Sequence, residues 1–247
     1  MIITSLDNKK IKKYILLKNS RERKKEGLFL VEGMHLCIEA NKYDLLEDIL
    51  LLEGSELPFE YNKEITYVTE SILKKVSTLT NPSNIIGVCK IKNNKNIIGN
   101  RLLLLDDIQD PGNLGTIIRS SNAFNIDTII LSNNSVDIYN DKVLRASQGM
   151  IFKMNIFYDD LEDIINKLKK DNYPILGTDV NCGNDVHNKK YSKFALIMGN
   201  EGHGISDKIK KMCDENLYIK MNSDCESLNV AVATSILLYE LDRGYYE

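Results

Sequence analysis

Continuous apolar runs alternate along this chain with stretches in which apolar residues recur every three or four positions. The runs at 102–105, 128–131 and 195–198 are typical of strands that are buried on both faces of a sheet. Helical spacing of apolar residues is found at 34–42 and 161–168. Strands and helices that alternate in this way predict an α/β fold, with a mostly parallel sheet covered by helices on both faces.

The chain divides into two α/β units at residues 92–96, a polar segment without apolar periodicity. We interpret this segment as a linker. It separates a small unit over residues 1–95 from a larger unit over residues 99–247. The small unit has four predicted strands, which lie at 29–33, 49–52, 65–68 and 85–91.

The composition indicates a folded protein, with 43% hydrophobic and 27% charged residues. No apolar run approaches the roughly 20 residues that cross a bilayer, and the first residues lack the features of a signal peptide. We therefore expect a cytoplasmic protein. The five cysteines form no C-x-x-C pair and the three histidines are scattered, so neither a metal site nor a disulfide framework is predicted.

Basic residues are concentrated near the N-terminus, although the formal net charge is −3. Between positions 9 and 25 there are nine lysines and arginines and a single acidic residue, Glu22. Such a cluster in an acidic chain is typical of a surface that binds phosphates, and a solvated helix face is the alternative. The candidates for phosphate contact are Lys9, Lys12, Lys13, Arg21 and Arg23.

Three polar loops follow predicted strands of the larger unit: loop 1 (106–115), loop 2 (199–204) and loop 3 (222–229). Ligands of parallel α/β sheets bind beyond the carboxyl ends of the strands, so these loops form the candidate site. Loop 2 has the spacing G-x-x-G-x-G, which is neither the dinucleotide fingerprint nor a P-loop. Its glycines suit either a close approach of the backbone to a ligand or a plain tight turn.

Loop 3 leads into an apolar helix predicted at 228–241. Ser223 and Glu226 have the spacing of a capping box that would open this helix. Ser227 and Asn229 are then left over, and their polar groups either bond the backbone or contact a ligand.

Loop 1 leads into a helix that carries Arg119, whose planar fork suits phosphate or carboxylate recognition. A plain surface arginine is the alternative. Asp106, Asp107 and Asp110 have the chemistry to bind magnesium, but such aspartates more often cap helices and form turns.

In this order, the three loops resemble the motifs of the SpoU (TrmH-like) RNA 2′-O-methyltransferases of the SPOUT class. The resemblance rests on 113–119 (NLGTIIR), 145–149 (RASQG), 196–204 (LIMGNEGHG), 219–221 (IKM) and 226–232 (ESLNVAV). In the small unit, residues 29–33 (FLVEG) are similar to the ribosomal-protein-like RNA-binding domain of that family.

The resemblance implies an S-adenosylmethionine-dependent enzyme that methylates a ribose 2′-hydroxyl in structured RNA, with 23S ribosomal RNA favoured over transfer RNA. It implies a trefoil knot in the larger unit, an RNA-binding role for the small unit, and a homodimer with the sites near its interface. A metal ion is not implied.

The resemblance also assigns roles to individual residues. Those expected around the acceptor ribose are Asn113, Arg119, Glu201, Ser227 and Asn229. Those expected to hold the cofactor are Thr178, Gly199, Asn200, Gly204, Ile219 and Leu228. Arg145 is expected to join the basic residues that contact RNA. Because a guanidinium stays protonated in proteins, we expect Arg119 to clamp phosphate or stabilise the developing alkoxide rather than act as a base.

Other functions are less compatible with these motifs. A noncatalytic RNA-binding protein that retains the fold would not need Arg119, Ser227 and Asn229. A knotted methyltransferase that modifies a base is disfavoured by the Ser-Leu-Asn motif. A nicotinamide or nucleotide-triphosphate enzyme lacks its fingerprint.

Overall fold

The apolar runs form the strands of two separate sheets. The structure is a computed structural model, and it describes residues 2–180, 183–187 and 191–246, without the side chains of 243–246. The sheets belong to two compact units. The first unit comprises Met1–Lys92 and Tyr139–Lys153, and the second comprises Asn93–Ile138 and Met154–Glu247. Both units combine helices with a sheet, so the predicted α/β class is confirmed.

The first unit contains a five-stranded mixed sheet. Its strands are β1 (Ile2–Ile3), β2 (Leu28–Glu32), β3 (Leu46–Leu52), β4 (Ile65–Val68) and β5 (Ile85–Lys90). Its first four helices are α1 (Lys9–Leu16), α2 (Ser20–Glu26), α3 (Met34–Lys42) and α4 (Glu70–Val76). The spatial order is β1-β4-β3-β5-β2, with β5 antiparallel to both of its neighbours.

The basic segment of the first unit folds into α1 and α2. Each helix begins at an asparagine, Asn8 or Asn19, whose side chain accepts a backbone N–H of the first turn. Gly27 ends α2 in the left-handed conformation, with φ of 65°. Ile11 and Tyr14 of α1 are buried in the core of the unit, so the helix is held by its apolar side.

The segment Tyr139–Lys153 lies in the first unit, whereas the sequence predicted it within the larger one. It contains the helices α6 (Asp141–Ser147) and α7 (Met150–Lys153). The ring of Phe29 on β2 lies 4.3 Å from the ring of Tyr139 and 6.3 Å from that of Phe152. Lys92 Nζ donates to the Phe152 carbonyl at 2.8 Å. Contacts between aromatic residues far apart in sequence therefore set this boundary, and a linear reading of the pattern does not show them.

The second unit is built on a seven-stranded sheet. Its strands are β6 (Arg101–Leu105), β7 (Thr128–Leu131), β8 (Asn155–Tyr158), β9 (Ile175–Thr178), β10 (Asn184–Asp185), β11 (Phe194–Met198) and β12 (Glu215–Tyr218). Its helices are α5 (Pro111–Ala123), α8 (Leu161–Lys170), α9 (Asp207–Lys210) and α10 (Val230–Tyr246).

The strand order of this sheet is β10-β12-β9-β11-β6-β7-β8, and every described pair is parallel. All residues of β6, β7 and β11 are buried, so both faces of the sheet are covered as predicted. Because parallel strands end at the same edge, loops 1, 2 and 3 emerge together. The trefoil knot stays a prediction.

The strands β12 and β8 differ from the expected pattern. The apolar pattern of residues 217–221 predicts a strand that ends at Met221. β12 instead ends at Tyr218, and Ile219 and Met221 line a cavity. The sequence does not predict β8, because its two adjacent buried residues, Ile156 and Phe157, are too few to form an apolar run. Within the described residues, no helix is long and apolar enough to cross a membrane. Four cysteines are free thiols, namely Cys37, Cys89, Cys213 and Cys225, and Cys182 lies outside the described residues.

Candidate active site

A cavity of about 770 Å³ lies at the carboxyl ends of β9, β11 and β12, within the volume range of small-molecule sites. Its walls include every residue predicted to act in catalysis or cofactor binding except Arg119. Those residues are Asn113, Thr178, Gly199, Asn200, Glu201, Gly204, Ile219, Ser227, Leu228 and Asn229. Apolar side chains such as Met198, Leu217 and Leu237 complete the lining.

Loop 1 places Asn113 at this cavity through the start of α5. Pro111 occupies the first turn, where its missing N–H has no partner to lose. Asp110 is the N-cap, and its side chain accepts the backbone N–H of Asn113 at 2.7 Å. Asn113 is therefore fixed in the first helical turn, with its side chain available to the site.

Loop 2 closes on itself. Asn200 and Gly204 exchange two backbone hydrogen bonds, each of 3.0 Å. A Cβ at Gly199 would overlap backbone atoms of Gly204 and Ile205, and Gly204 has φ of +71°. The glycines of loop 2 therefore suit both interpretations. They form a tight turn, and this turn brings the loop backbone to the cavity wall.

Loop 3 does not open the last helix with a capping box, so that prediction is wrong. The N-cap is Asn229, whose Oδ1 accepts the N–H groups of Ala231 at 2.9 Å and Val232 at 3.3 Å. Ser223 and Glu226 lie outside the helix and are exposed. Asn229 caps the helix because its side chain reaches the N–H groups two and three residues further along the chain, as an N-cap side chain does.

Three side chains, one from each loop, form a continuous hydrogen-bonded chain at the cavity. Asn229 Nδ2 donates to Asn113 Oδ1 at 2.9 Å, and Asn113 Nδ2 donates to Glu201 Oε1 at 3.1 Å. The direction of this chain follows from the helix cap. Because Asn229 Oδ1 accepts from the helix, its Nδ2 is left to donate, and Asn113 must then present its own Nδ2 to Glu201.

Glu201 is an ionised acceptor in this chain. Besides Asn113, the backbone N–H groups of Asp110 and Gln109 donate to its carboxylate at 3.1 and 3.3 Å. Partial burial acts to raise the pKa of Glu201, but the hydrogen bonds from Asn113, Asp110 and Gln109 outweigh it, and the net pKa is lowered from 4.5. Glu201 therefore joins loops 1 and 2 as a carboxylate.

The aspartates of loop 1 have structural partners. Asp106 Oδ2 accepts the backbone N–H of Ser206 at 2.9 Å, and Asp110 caps α5. Asp107 adopts φ of 62°, and its carbonyl accepts a hydrogen bond from Asn200 Nδ2 at 2.8 Å. Across the described ranges, no group of three His, Cys, Asp or Glu side chains is placed to hold a metal ion.

Arg119 lies on the exposed side of α5 and does not line the cavity. Its side chain forms no hydrogen bond or ion pair within the part of the chain that the structure describes. The next residue, Ser120, is joined to Ser235 of α10 by a 2.7 Å hydrogen bond between their hydroxyls. Arg119 therefore projects beside the α5–α10 contact, apart from the residues it was predicted to join.

The predicted phosphate-binding residues lie in the first unit and have unequal surroundings. Arg23 is buried, and its Nη1 donates to two carbonyls of the chain segment between α1 and α2. Lys12 pairs with Asp7 at 2.7 Å and Lys13 with Glu26 at 2.8 Å, while Arg145 pairs with Asp141 at 2.7 Å. Lys9 and Arg21 are exposed and form no ion pair with another described residue.

Three further cavity residues, Asp179, His203 and Lys210, received no role from the sequence, although His203 lies within loop 2. Asp179 directly follows β9, so its position as a charged residue after a buried strand is a signal that sequence reasoning can use. Lys210 lies on the short helix α9 and has no such signal. Its ammonium pairs with the Asp179 carboxylate.

Comparison with known proteins is consistent with this geometry. A model of the SpoU rRNA Methylase family matches residues 100–239, which include all three loops. This chain belongs to that family. A second model, for an MRM3-like substrate binding domain, matches residues 8–87 of the first unit.

Three relatives of this SpoU family member cover nearly its whole length. The 23S rRNA (guanosine(2553)-2′-O)-methyltransferase RlmP of Bacillus subtilis is 35% identical over 98% of this chain and 99% of its own. A protein of the TrmH RNA methyltransferase family from Porphyromonas gingivalis has a TM-score of 0.87 at 28% identity, covering 97% of this chain and 99% of that one. AviRb from Streptomyces viridochromogenes has a TM-score of 0.83 at 25% identity, covering 96% and 97%, and has been solved with AdoMet.

Proposed function

We propose that this chain uses S-adenosylmethionine to methylate a ribose 2′-hydroxyl of 23S ribosomal RNA, in the cytoplasm. The observation that carries the proposal is the hydrogen-bonded chain from Asn229 through Asn113 to Glu201, which joins three loops beside one cavity. The full-length similarity to RlmP supports the RNA and the ribose position.

The cavity residues fit the cofactor. Leu217 and Leu237 offer an apolar surface to a purine ring, and the closed turn of loop 2 offers backbone polar groups. Gly199, Ile219 and Leu228 would hold the cofactor from three neighbouring chain segments. The bound cofactor supplies an electrophilic methyl group.

The side chains of the network position the acceptor rather than take its proton. Glu201 is a weak base because its pKa is lowered and because three N–H donors already bind its carboxylate oxygens. Asn113 and Asn229 each keep a second N–H with which to orient an acceptor ribose, and the Ser227 hydroxyl lies at the same cavity. As the methyl group would pass from the sulfonium sulfur to the 2′-oxygen, the cofactor would leave as a neutral thioether. We assign the hydroxyl proton to solvent water, with a phosphate oxygen of the acceptor nucleotide as the relay.

The direct test of the reaction is mass spectrometry of nucleosides after the purified protein is incubated with S-adenosylmethionine and ribosomal RNA. We expect one 2′-O-methylated nucleoside with wild type and a loss of at least about 100-fold with Asn113→Ala. A methyl group found on a base would contradict the assignment to ribose.

We further propose that the active protein is a homodimer in which Arg119 acts in the cavity of the other protomer. In support, Arg119 is exposed outside its own cavity, and Val232 and Tyr239 of the neighbouring α10 are 48% and 50% exposed. A second copy that covered these apolar side chains would bring an arginine to each site, where it would stabilise negative charge.

Mixing two inactive variants tests this dimer. If Arg119 acts across the interface, a heterodimer of Arg119→Ala and Asn113→Ala has one complete site and regains activity. If Arg119 acts within its own protomer, both sites of the heterodimer are defective and the mixture stays inactive, which would overturn the proposal. Co-expression with two different affinity tags isolates the heterodimer.

For the first unit we propose that Lys9 and Arg21, with Lys12, Lys13 and Arg145, contact the RNA backbone. Lys9 and Arg21 are exposed, so their charges are available to phosphates. The buried Arg23 is left out of this surface because its guanidinium is used within the fold.

A further inference from the structure

Asp179 places a buried charge in the cavity wall. It follows Thr178, the last residue of β9, and β9 lies between β11 and β12 in the sheet. Asp179 is therefore central among the strand ends that carry Gly199 and Ile219. Its side chain is only 7% exposed, whereas the cavity lining around it includes the apolar Val180 and Leu217.

The charge of Asp179 is balanced by Lys210 of α9, whose ammonium pairs with the carboxylate. Only the carboxylate of this pair is buried, because the Lys210 side chain is 41% exposed. Burial of a charge costs desolvation that a partly exposed partner offsets only in part, and apolar residues in place of such a pair are often as stable. The fold therefore does not require a charged pair at this position. A ligand that donates hydrogen bonds to a fixed acceptor would explain why a charged pair is present here.

We propose that Asp179 accepts hydrogen bonds from the ribose hydroxyls of the bound cofactor, with Lys210 as the positioning residue that holds the carboxylate. This inference rests on the cavity being the cofactor site of the proposed function. A carboxylate has about four lone-pair positions, enough to accept from a lysine and from a vicinal diol at the same time. The diol donates two hydrogen bonds and brings no charge, which suits a carboxylate already neutralised by Lys210.

The amino-acid part of the cofactor is a less suitable partner. Its ammonium would have to compete with Lys210 for the same carboxylate, and the pair has no net charge with which to attract it. A diol also matches a role that acidic residues near strand ends have in other nucleotide-binding sheets.

Calorimetric titration with three ligands separates these roles without a measurement of activity. The ligands are S-adenosylmethionine, 5′-methylthioadenosine, which lacks the amino acid, and the 2′,3′-dideoxy form of methylthioadenosine, which lacks the diol. For Asp179→Asn we expect a loss of about 10- to 100-fold in affinity for the first two and no loss for the third. For Lys210→Met we expect the same pattern across the three ligands, with smaller losses of affinity. The control variants are Asp207→Asn and Lys211→Met, which change exposed residues.

Other outcomes overturn the proposal. A loss for S-adenosylmethionine alone would assign Asp179 to the amino acid, and an equal loss for all three ligands would make it a purely structural residue. No loss would remove it from the site. A wild-type protein that binds none of the ligands would instead overturn the cofactor cavity itself, whereas ligand binding without RNA methylation would overturn only the proposed reaction.

Discussion

The amide of Asn229 donates to the amide oxygen of Asn113 at 2.9 Å, and this bond joins the start of the last helix to the start of α5. The two residues are 116 positions apart in sequence. Because Asn229 also caps α10, a helix terminus determines which way the Asn113 amide points. A structural cap and a site residue are therefore the same side chain.

Substitutions at Asn229 can separate the cap from the site. Asn229→Asp keeps an acceptor for the helix but loses the N–H that holds Asn113. We expect its unfolding free energy to stay near that of wild type, while methyl transfer falls about 100-fold. Asn229→Ala loses both the helix cap and the N–H that holds Asn113. We therefore expect a methyl-transfer rate similar to that of Asn229→Asp and a free energy of unfolding about 1 kcal/mol lower. Thermal unfolding and single-turnover methylation measure the two effects, and a wild-type rate for Asn229→Asp would show that the Asn113 orientation is unimportant.

Glu201 should contribute stability that depends on pH. Its pKa is lowered from 4.5 in the folded protein, so the contribution is present above pH 4.5 and is lost as the pH falls through the lower folded value. Glu201→Gln removes this titration and places an amide N–H toward the N–H of Gln109. Chemical denaturation at several pH values gives the free energy of unfolding of wild type and of Glu201→Gln. We expect the advantage of wild type to shrink as the pH falls from about 6 to about 3.5. An advantage that is constant over this range would argue against an ionised Glu201.

Loop 2 offers a matched pair of glycine substitutions. Gly199→Ala would force a Cβ into the backbone of Gly204 and Ile205, so we expect the turn to open and cofactor affinity to fall at least about 10-fold. At Gly202 a Cβ would meet only Asn200 Oδ1 at 3.5 Å, an ordinary contact, and Gly202→Ala should bind nearly normally. Calorimetry with S-adenosylmethionine compares them, and equal affinities for the two variants would mean that closure of the turn does not shape the site.

The RNA-binding surface should respond to salt. Lys9→Gln with Arg21→Gln removes two exposed charges of α1 and α2, and we expect the slope of log affinity against log salt to decrease by roughly 2. Lys42→Gln, on α3 and paired with Glu39, is the control and should leave the slope unchanged. Filter binding of a ribosomal RNA fragment at several salt concentrations gives the slopes, and an unchanged slope in the double variant would remove α1 and α2 from the interface.

Much of the second unit could be predicted because its strands are continuous apolar runs. β7 spans the predicted residues, and β6 and β11 each begin one residue earlier. The three loops were predicted at the cavity for the same reason, since parallel strands end at one edge.

The rest depends on contacts that a linear pattern does not contain. The charge count over residues 9–25 omitted Asp7, Glu26 and Asp48, which pair with lysines of this segment. The capping box at Ser223 was matched by spacing alone, but Asn229 reaches the helix directly. The place of Tyr139 beside Phe29 is likewise set by packing in the first unit.

The most direct test of 23S ribosomal RNA as the substrate is to map 2′-O-methyl positions in RNA from cells with and without this chain. We expect one nucleotide of 23S ribosomal RNA to lose its 2′-O-methyl group in cells without it, and we expect wild type, but not Asn113→Ala, to restore the group. Unchanged 23S ribosomal RNA, or a loss confined to transfer RNA, would contradict this assignment.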